Sequence, residues 1–419
     1  MPMTRAQTHG SVSGVCRRAA WGALGLAFLL LTTLLISPVS AWAQTFTVLH
    51  KFDGQLGGIQ PPGGVVVDAQ GNLYGVTEFG GSFDWGIVFK LDPSGRETVL
   101  HTFSGGDGLL PSAPLIQGPN GVLYGTTFDG GTPEGGACEH GCGTVFSIDM
   151  TGKHKVLHAF KGETKGANPD TRLVLDPDGN LYGGTFSGGN MSCDQWCGVL
   201  FKLDTAGKLT VLYSFTGGTD GSIPRGLARD SVGNLYGTTY SGGASRNGTV
   251  FKLDTTGKLT ILYSFVDGFD GGDPNGLSFR DSAGNLYGTT NGVFERPSVG
   301  VAFKLDTANR LTVLHSFTGG TDGDLPNTLV PDKAGNLYGT TFEGGTGSGC
   351  YPQGCGVIFK LDSHGDETIL HNFTGPDGET PNGLTIDGAG NLYGTTSGGG
   401  KGGGSCSDYG CGTVFKLTP

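Results

Sequence analysis

The chain has 419 residues, 81 of them glycine, and a formal net charge of −11 at pH 7. Its first 43 residues contain three Arg and no acidic residue, which leaves 23 basic and 37 acidic residues in the remainder and a net charge near −14. This excess of acidic residues argues against nucleic acid or an anionic membrane as a partner. The glycines recur at fixed places in a repeat, which argues against a low-complexity chain.

The N-terminal residues 1–43 have the layout of a secretory signal peptide. Three Arg precede an apolar run over residues 19–36, and an Ala-Trp-Ala triplet ends at Ala43. This order predicts cleavage before Gln44 and export to the periplasm or the extracellular space. The alternative is an uncleaved membrane anchor, because the apolar run is long enough to be considered as one. After cleavage no membrane attachment is expected.

One phrase, Asn-Leu-Tyr-Gly-Thr-Thr, organises the rest of the chain. It stands in its plainest form at residues 336–341, and whole or nearly whole copies recur at spacings of 50 to 58 residues. Each copy follows an Asp-x-x-Gly turn and precedes a Gly-rich stretch, Val-Phe-Lys-Leu-Asp and Thr-Val-Leu-His-Ser-Phe. A regular period of this length indicates a repeat architecture. The repeated Tyr falls at Tyr74, Tyr124, Tyr182, Tyr236, Tyr287, Tyr338 and Tyr393.

Each repeat contains four short runs rich in Val, Leu, Phe, Tyr and Thr and bounded by turn residues. In the fourth copy they cover about 226–230, 234–240, 248–254 and 258–265. No helical period separates them. Four antiparallel strands repeated radially make a propeller blade, so seven copies predict an all-β, seven-bladed β-propeller over residues 44–419.

The two ends of the repeat region complement each other. The seventh copy supplies strands near 383–387, 391–396 and 412–417 and then ends one strand short. Residues 45–52, Thr-Phe-Thr-Val-Leu-His-Lys-Phe, match the fourth strand and precede the first complete copy. We therefore expect the N-terminal strand to complete the seventh blade, which closes the ring and removes exposed sheet edges.

Eight of the nine cysteines form close pairs between the second and third strands of copies 2, 3, 6 and 7. In an exported chain such pairs predict disulfides. Each would close a small ring worth about 2 kcal/mol, so it would shape a loop rather than hold the propeller together. Zinc held by thiolates of neighbouring blades is the alternative, and export argues against it. The pairs are Cys138 with Cys142, Cys193 with Cys197, Cys350 with Cys355 and Cys406 with Cys411.

Loop lengths predict a groove on one face of the propeller. The loops between second and third strands are long in copies 2, 3, 6 and 7 and about half as long in copies 1, 4 and 5. The long loops of copies 2 and 3 and those of copies 6 and 7 would form two opposite walls, and the short loops would form the floor and ends of a groove between them. Aromatic and Arg side chains there suit stacking on a sugar or gripping a peptide. The alternative is that they cover loop backbone. One wall would carry Trp196; the floor and ends would carry Phe83, Asp84, Trp85, Arg225, Arg246, Phe269, Phe294 and Arg296.

The axis is the other place where repeated residues can converge. The residue after the inter-blade Pro should ring the channel mouth, where it could bind a cation or a small polar ligand. The alternative is that Asn at this position ends a turn. These residues are Ser112, Asp170, Arg225, Asn275, Asn327 and Asn382.

Other repeated polar residues are interpreted as structural. A His or Tyr column in the fourth strands lies on the rim, where its members point apart, and its rings should pack between blades. The Asp-Gly pairs between blades are interpreted as turns rather than calcium ligands. No catalytic motif is present, and no metal or cofactor is expected. The column contains His50, His101, His158, Tyr213, Tyr263, His315 and His371.

The recurring Gly-Asn-Leu-Tyr-Gly-Thr-Thr, Gly-Thr-Val-Phe-Lys-Leu and Leu-Tyr-Ser-Phe, with Gly-Gly-x-Asp-Gly, resemble the bacterial GloVer tandem repeat of choice-of-anchor proteins. The resemblance covers nearly all of residues 45–419. It implies an exported repeat protein of unknown biochemical function and brings no catalytic residues. Members often carry a C-terminal sorting segment, whereas this sequence ends inside the last blade, so the question of surface attachment stays open.

These observations predict an exported, monomeric, non-catalytic binding module. Its loop face, braced by disulfides, would recognise a polysaccharide, a peptide or an extracytoplasmic protein. The alternative is a carbohydrate-active hydrolase or lyase, or a lactonase, working at the channel mouth. Acids clustered at the axis would favour the enzyme, and aromatic residues spread along a groove would favour the binder.

Overall fold

Seven four-stranded antiparallel sheets form a propeller, as the repeat predicts. The structure is a computed structural model that describes residues 44–54, 57–131, 138–190, 193, 197–266, 270–292, 300–347, 349–350, 353–400, 406 and 410–419. The predicted signal peptide lies outside these residues. Among the described residues, no helix is long and apolar enough to cross a bilayer.

The blades follow one another in chain order, and each runs from the axis to the rim. In blade 4 the inner strand begins at Ser222 rather than at 226, so it is longer than predicted. The strands, inner to outer, are Val66–Val67, Leu73–Thr77, Ile87–Leu91 and Glu97–Thr102 in blade 1; Ile116–Gln117, Leu123–Thr127, Thr144–Ile148 and His154–Ala159 in blade 2; Val174–Leu175, Leu181–Ser187, Val199–Leu203 and Leu209–Ser214 in blade 3; Ser222–Arg229, Leu235–Ser241, Thr249–Leu253 and Leu259–Ser264 in blade 4; Pro274–Arg280, Leu286–Thr290, Val301–Leu305 and Leu311–Ser316 in blade 5; Val330–Pro331, Leu337–Glu343, Val357–Leu361 and Glu367–Asn372 in blade 6; and Glu379–Ile386, Leu392–Gly398, Thr413–Thr418 and Thr45–Lys51 in blade 7.

Short elements supplement these strands near the loop face. Ala167–Pro169 and Asp324–Pro326 extend the inner edges of blades 3 and 6, and Gly58–Ile59 pairs with Phe79–Gly80 in blade 1. Single 3₁₀ turns cover Pro119–Gly121 and Glu163–Lys165.

The N-terminal strand closes the ring, as predicted. Thr45–Lys51 pairs antiparallel with Thr413–Thr418 and forms the outer strand of blade 7. Phe46 stacks on His371 of blade 6 with ring centroids 3.6 Å apart, and it also contacts Phe373 and Phe415. The first strand of the propeller therefore joins its last blade to the blade before it.

The Asp-x-x-Gly-Asn-Leu-Tyr phrase is a hydrogen-bond network around one carboxylate. In blade 6 the Oδ1 of Asp332 accepts the backbone N–H of Asn336 at 2.9 Å. Its Oδ2 accepts the Asn336 amide at 2.7 Å and the Tyr338 hydroxyl at 3.2 Å. The Asp thus ties the hairpin turn to the second strand, which explains why all three residues recur together. Equivalent networks surround Asp68, Asp176, Asp230, Asp281 and Asp387.

The repeated Gly after this Tyr leaves room for the Phe of Val-Phe-Lys-Leu on the next strand. A Cβ on Gly394 would lie 2.5 Å from Cζ of Phe415, and the other six copies are equally tight. Apolar clusters then fill the spaces between neighbouring blades; one of them joins Phe52, Val414 and Phe89 across the closing seam. Packing between blades, rather than within one sheet, forms the core.

The four predicted disulfides form, with Cα–Cα distances from 5.1 to 6.1 Å. The second Cys of each pair is fully or almost fully buried and belongs to an inter-blade cluster: Cys142, Cys197, Cys355 and Cys411. Sequence reasoning assigned the bridges to loop shaping alone. The structure adds that each one covers the loop-face end of a core cluster.

Candidate functional site

The inner strands of all seven blades enclose an axial cavity of about 240 Å³. Its polar lining includes all six residues expected at the channel mouth from their place after the inter-blade Pro. The structure divides them into two sets with different partners. One set is Asn275, Asn327 and Asn382; the other is Ser112, Asp170 and Arg225.

The Asn side chains of blades 5, 6 and 7 link consecutive blades. The Asn327 amide donates to the carbonyl of Pro381 at 2.8 Å, and the Asn382 amide donates to the carbonyl of Pro61 at 2.7 Å. The Asn275 amide donates to the Asn327 side chain at 3.1 Å. The amide donors of these Asn residues therefore link neighbouring blades. The sequence analysis expected them either to bind a ligand or to end a turn, and it did not anticipate this role.

An ion pair takes the same place between blades 3 and 4. The Nη1 of Arg225 donates to the Oδ2 of Asp170 at 2.5 Å, and the two side chains are only 29% and 16% exposed. Burial raises the pKa of Asp170, while the charge of Arg225 and its hydrogen bond partly offset this effect. Arg225 therefore belongs to the axis. Its guanidinium is held by Asp170, and the groove that was expected to include Arg225 stays a prediction.

Arg172 is a second cation in this cavity, and sequence reasoning did not identify it. Blades 1, 2 and 3 have one residue more than blades 4 to 7 between the inter-blade Pro and the apolar residue opposite the repeated Gly. In blade 3 the additional residue is Arg172, which lines the cavity. The side chain keeps an exposed surface because the cavity is open, yet protein surrounds it and lowers its pKa. No described residue pairs with its guanidinium.

One further repeat position varies strongly at the loop-face end of the second strand. It follows the Thr pair that is otherwise nearly constant, and by the pseudo-symmetry of the blades its seven members form a ring around the axis. We call this set the mouth ring; it consists of Glu78, Phe128, Phe186, Tyr240, Asn291, Phe342 and Ser397.

Contacts connect the mouth ring to the charged axis. The Arg225 guanidinium lies 5.9 Å from the centroid of the Tyr240 ring, and the Phe128 and Phe186 ring centroids are 5.8 Å apart. Phe342 is exposed. Aromatic rings beside an Arg and a carboxylate are a common combination in sites that recognise polar ligands with an apolar face.

Two carboxyl groups near the mouth have raised pKa values. Burial, with a smaller contribution from the charge of Asp170, raises the pKa of Glu78 to about 7. Burial alone raises the pKa of Asp273 to about 6. Burial first, and then the charge of the nearby Asp273, raise the pKa of Tyr240. Glu78 can therefore exchange a proton at neutral pH, as a general acid or base requires.

The residues predicted for the groove are only partly described, and those that are described lie in different settings. Phe83 and Trp85 are 55% and 39% exposed and stack at 5.9 Å. Asp84 accepts the backbone N–H of Gly80, and Arg246 is exposed in a tight turn. The others, Phe269, Phe294, Arg296 and Trp196, lie outside the described residues, as do large parts of both predicted walls.

On the rim, the His and Tyr column packs as a structural feature in all seven blades. Each ring meets the Phe two residues later, edge to face, and several tips bond an inter-blade Asp, as in the 2.9 Å contact of His371 with Asp377. The Asp carboxylates also accept backbone N–H groups, as turn residues do. The members of the column do not meet one another, but one of them, His315, lies beside Asp322 and Glu367 because neighbouring fourth strands face each other across a seam.

Family comparison agrees with the repeat. The sequence matches the Gloeobacter/Verrucomicrobia repeat over residues 32–138, 134–351 and 300–419. The chain belongs to this repeat family. The match confirms the resemblance drawn from the Asn-Leu-Tyr-Gly-Thr-Thr phrase. Comparison with curated protein sequences gives no match.

Solved structures similar to this repeat protein share its fold at low sequence identity. A streptogramin B lyase aligns with a TM-score of 0.59 and 14% identity over 90% of this chain and 97% of its own. An inactive virginiamycin B lyase from Staphylococcus aureus with quinupristin aligns at 0.58 and 14% over 90% and 99%. The extracellular domain of a one-component system from B. thetaiotaomicron aligns at 0.53 and 12% over 87% and 40%. These likenesses establish the propeller fold alone.

Proposed function

We propose that this protein is an exported binding module that holds the carboxylate-bearing end of a carbohydrate at the axial cavity and its mouth. The observation that carries the proposal is Arg172, a cation inside the cavity with no partner among the described residues. A guanidinium surrounded by protein gains most from an anionic group that it can bind in a bidentate manner. Four disulfides support an oxidising compartment.

The size of the cavity restricts how a ligand could bind. Its volume of about 240 Å³ is below the range, about 300–1,000 Å³, typical of pockets that enclose a whole drug-sized molecule. Only the end of a longer ligand would enter, and the remainder would rest on the mouth ring, where Phe128, Phe186 and Tyr240 offer faces for sugar rings. Because the whole chain is acidic, attraction of an anion would depend on these local cations rather than on long-range steering.

The test compares the affinity of the propeller for acidic and neutral oligosaccharides by calorimetry, after a glycan array has identified candidates. We expect uronic-acid oligosaccharides to bind and Arg172→Ala to weaken binding at least about tenfold, since a charge-assisted hydrogen bond is worth about 1.5–3 kcal/mol. Arg96→Ala is the matched control, because Arg96 lies 80% exposed beside Asp92 in an outer turn. Loss of binding in Trp85→Ala, with Arg172→Ala unaffected, would favour the loop groove instead.

A second candidate function, hydrolysis or elimination at the channel mouth, is favoured by one observation, the pKa of Glu78 near 7. The same calorimetry samples decide between the two, because turnover appears as new products in mass spectra. An enzyme would lose its products in Glu78→Gln while retaining affinity for the ligand. A binder would show no products with either protein.

A further inference from the structure

The seam between the fourth strands of blades 5 and 6 holds a polar cluster that the fold does not need. His315 belongs to blade 5, Glu367 begins the outer strand of blade 6, and Asp322 lies in the connection between them. Blades 3 to 5 have Leu at the position that Glu367 occupies in blade 6. Two of the seams that contain this Leu, Tyr213 with Leu259 and Tyr263 with Leu311, are partly apolar. A Tyr and a Leu therefore suffice to pack this kind of seam.

The distances in the cluster are too long for hydrogen bonds. The Nε2 of His315 lies 3.7 Å from the Oδ2 of Asp322 and 3.6 Å from the Oε2 of Glu367. At the next seam, where Phe46 replaces the acidic residue, the same His–Asp pair closes to 2.9 Å between His371 and Asp377. The His–Asp distance is therefore longer, not shorter, at the seam that contains Glu367.

Buried atoms of the cluster are left without partners. The Nε2 of His315 and the Oε1 of Glu367 are both inaccessible to solvent and unbonded within the described structure. The three side chains are only 20%, 15% and 11% exposed, in the order His315, Asp322 and Glu367. Unsatisfied buried polar atoms cost about 1–3 kcal/mol each, so a group that binds them would stabilise the seam.

From this geometry we infer that His315, Asp322 and Glu367 bind one divalent transition-metal ion, of which Zn²⁺ is the representative probe. One ligand atom from each residue lies within 4.8 Å of the others. Tetrahedral ligands about 2.0–2.1 Å from zinc lie about 3.4 Å from each other, close to the observed nitrogen–oxygen separations. The Thr318 backbone N–H donates to the Oδ2 of Asp322 at 2.8 Å and orients that ligand from outside.

A similar cluster at the seam between blades 1 and 2 lacks this geometry. His101, Asp107 and His154 also lie within 4.8 Å, but the imidazoles of His101 and His154 stack in parallel at 3.9 Å. Parallel stacked rings cannot direct both lone pairs at one ion. The Nε2 of His101 is moreover already bonded to Asp107 at 2.8 Å. The inference is therefore not extended to the seam between blades 1 and 2.

The chain itself supplies the variant that tests this site. His315→Tyr with Glu367→Leu reproduces the Tyr–Leu seams of blades 3 to 5, so this double variant should fold. After stripping with EDTA and dialysis against Zn²⁺, we expect the wild-type propeller to retain one zinc per chain more than the variant, measured by elemental analysis. Zn²⁺ should raise the melting temperature of the wild type alone, and Ca²⁺, which requires six to eight oxygen ligands, should not raise it.

Two further measurements make the outcome unambiguous. His371→Tyr, at the seam without the second acid, should keep the wild-type zinc content. In EDTA the double variant should melt at or above the wild-type temperature, because it removes unpartnered buried atoms. Equal zinc content in the wild type and the double variant would overturn the proposal.

Discussion

Removing residues 44–51 should abolish the folded monomer. The deletion takes away the outer strand of blade 7, which pairs with Thr413–Thr418 along its length. It also removes Phe46, whose ring contacts His371, Phe373 and Phe415. The truncated chain would expose both an apolar surface and a long sheet edge, and such edges pair with other chains. We expect aggregation on size-exclusion chromatography and loss of the cooperative melt in circular dichroism.

A circular permutant is the control for this deletion. Moving residues 44–51 behind Pro419 through a short Gly-Ser linker restores the strand while changing its place in the sequence. This permutant should melt close to the wild-type temperature. A truncated protein that stayed monomeric with an unchanged melting temperature would contradict the role of the closing strand.

Replacing Arg225 by Leu should cost about 3–5 kcal/mol of the free energy of unfolding at neutral pH, because it leaves the buried Asp170 without its partner. The pKa of Asp170, already raised by burial, should rise further. Between the carboxyl pKa of the unfolded chain, about 3.9, and that raised value, the native state binds more protons than the unfolded state. Stability of the variant should therefore fall as pH rises, and the loss should be larger at pH 8 than at pH 5 in urea titrations.

The neighbouring blades again provide a matched rescue. Asp170→Asn with Arg225→Asn recreates the amide pair formed by Asn275 and Asn327. This double variant should recover most of the lost stability and lose the dependence on pH. If Arg225→Leu alone melts like the wild type at both pH values, the pair is not a stabilising link between blades.

Most of the fold could be predicted from the sequence because each repeated residue has one local reason to recur. Asp332 binds its own hairpin, Gly394 makes room for Phe415, and Asn309, with φ of +60°, replaces Gly at a turn that requires this conformation. Such reasons act within a few residues or across one strand pair. Strand alternation and spacing therefore predict the blades, their number and the closure.

The site could be predicted only in part because its residues are exceptions to the repeat. Asp170 and Arg225 follow from their place after the inter-blade Pro, but their ion pair depends on two blades meeting at the axis. Arg172 is an additional residue that an alignment of the copies reveals only when the contact of the repeated Gly183 with Leu173 is known. The cluster of His315 with Glu367 depends on how fourth strands face each other across a seam, which strand patterns do not specify.

The bonds between the Asn side chains and Pro carbonyls in blades 5 to 7 have an implication for how such proteins diversify. These bonds use side chains of blades 5 to 7 alone; blade 1 takes part only through the backbone carbonyl of Pro61, and Pro62 and Ser112 take the Asn position in blades 1 and 2. Side chains at that position in the other blades can therefore be exchanged without loosening those joints. A protein engineer could keep blades 5 to 7 and the Asp170–Arg225 pair constant and vary positions 62, 112 and 172 as a compact library for new specificities.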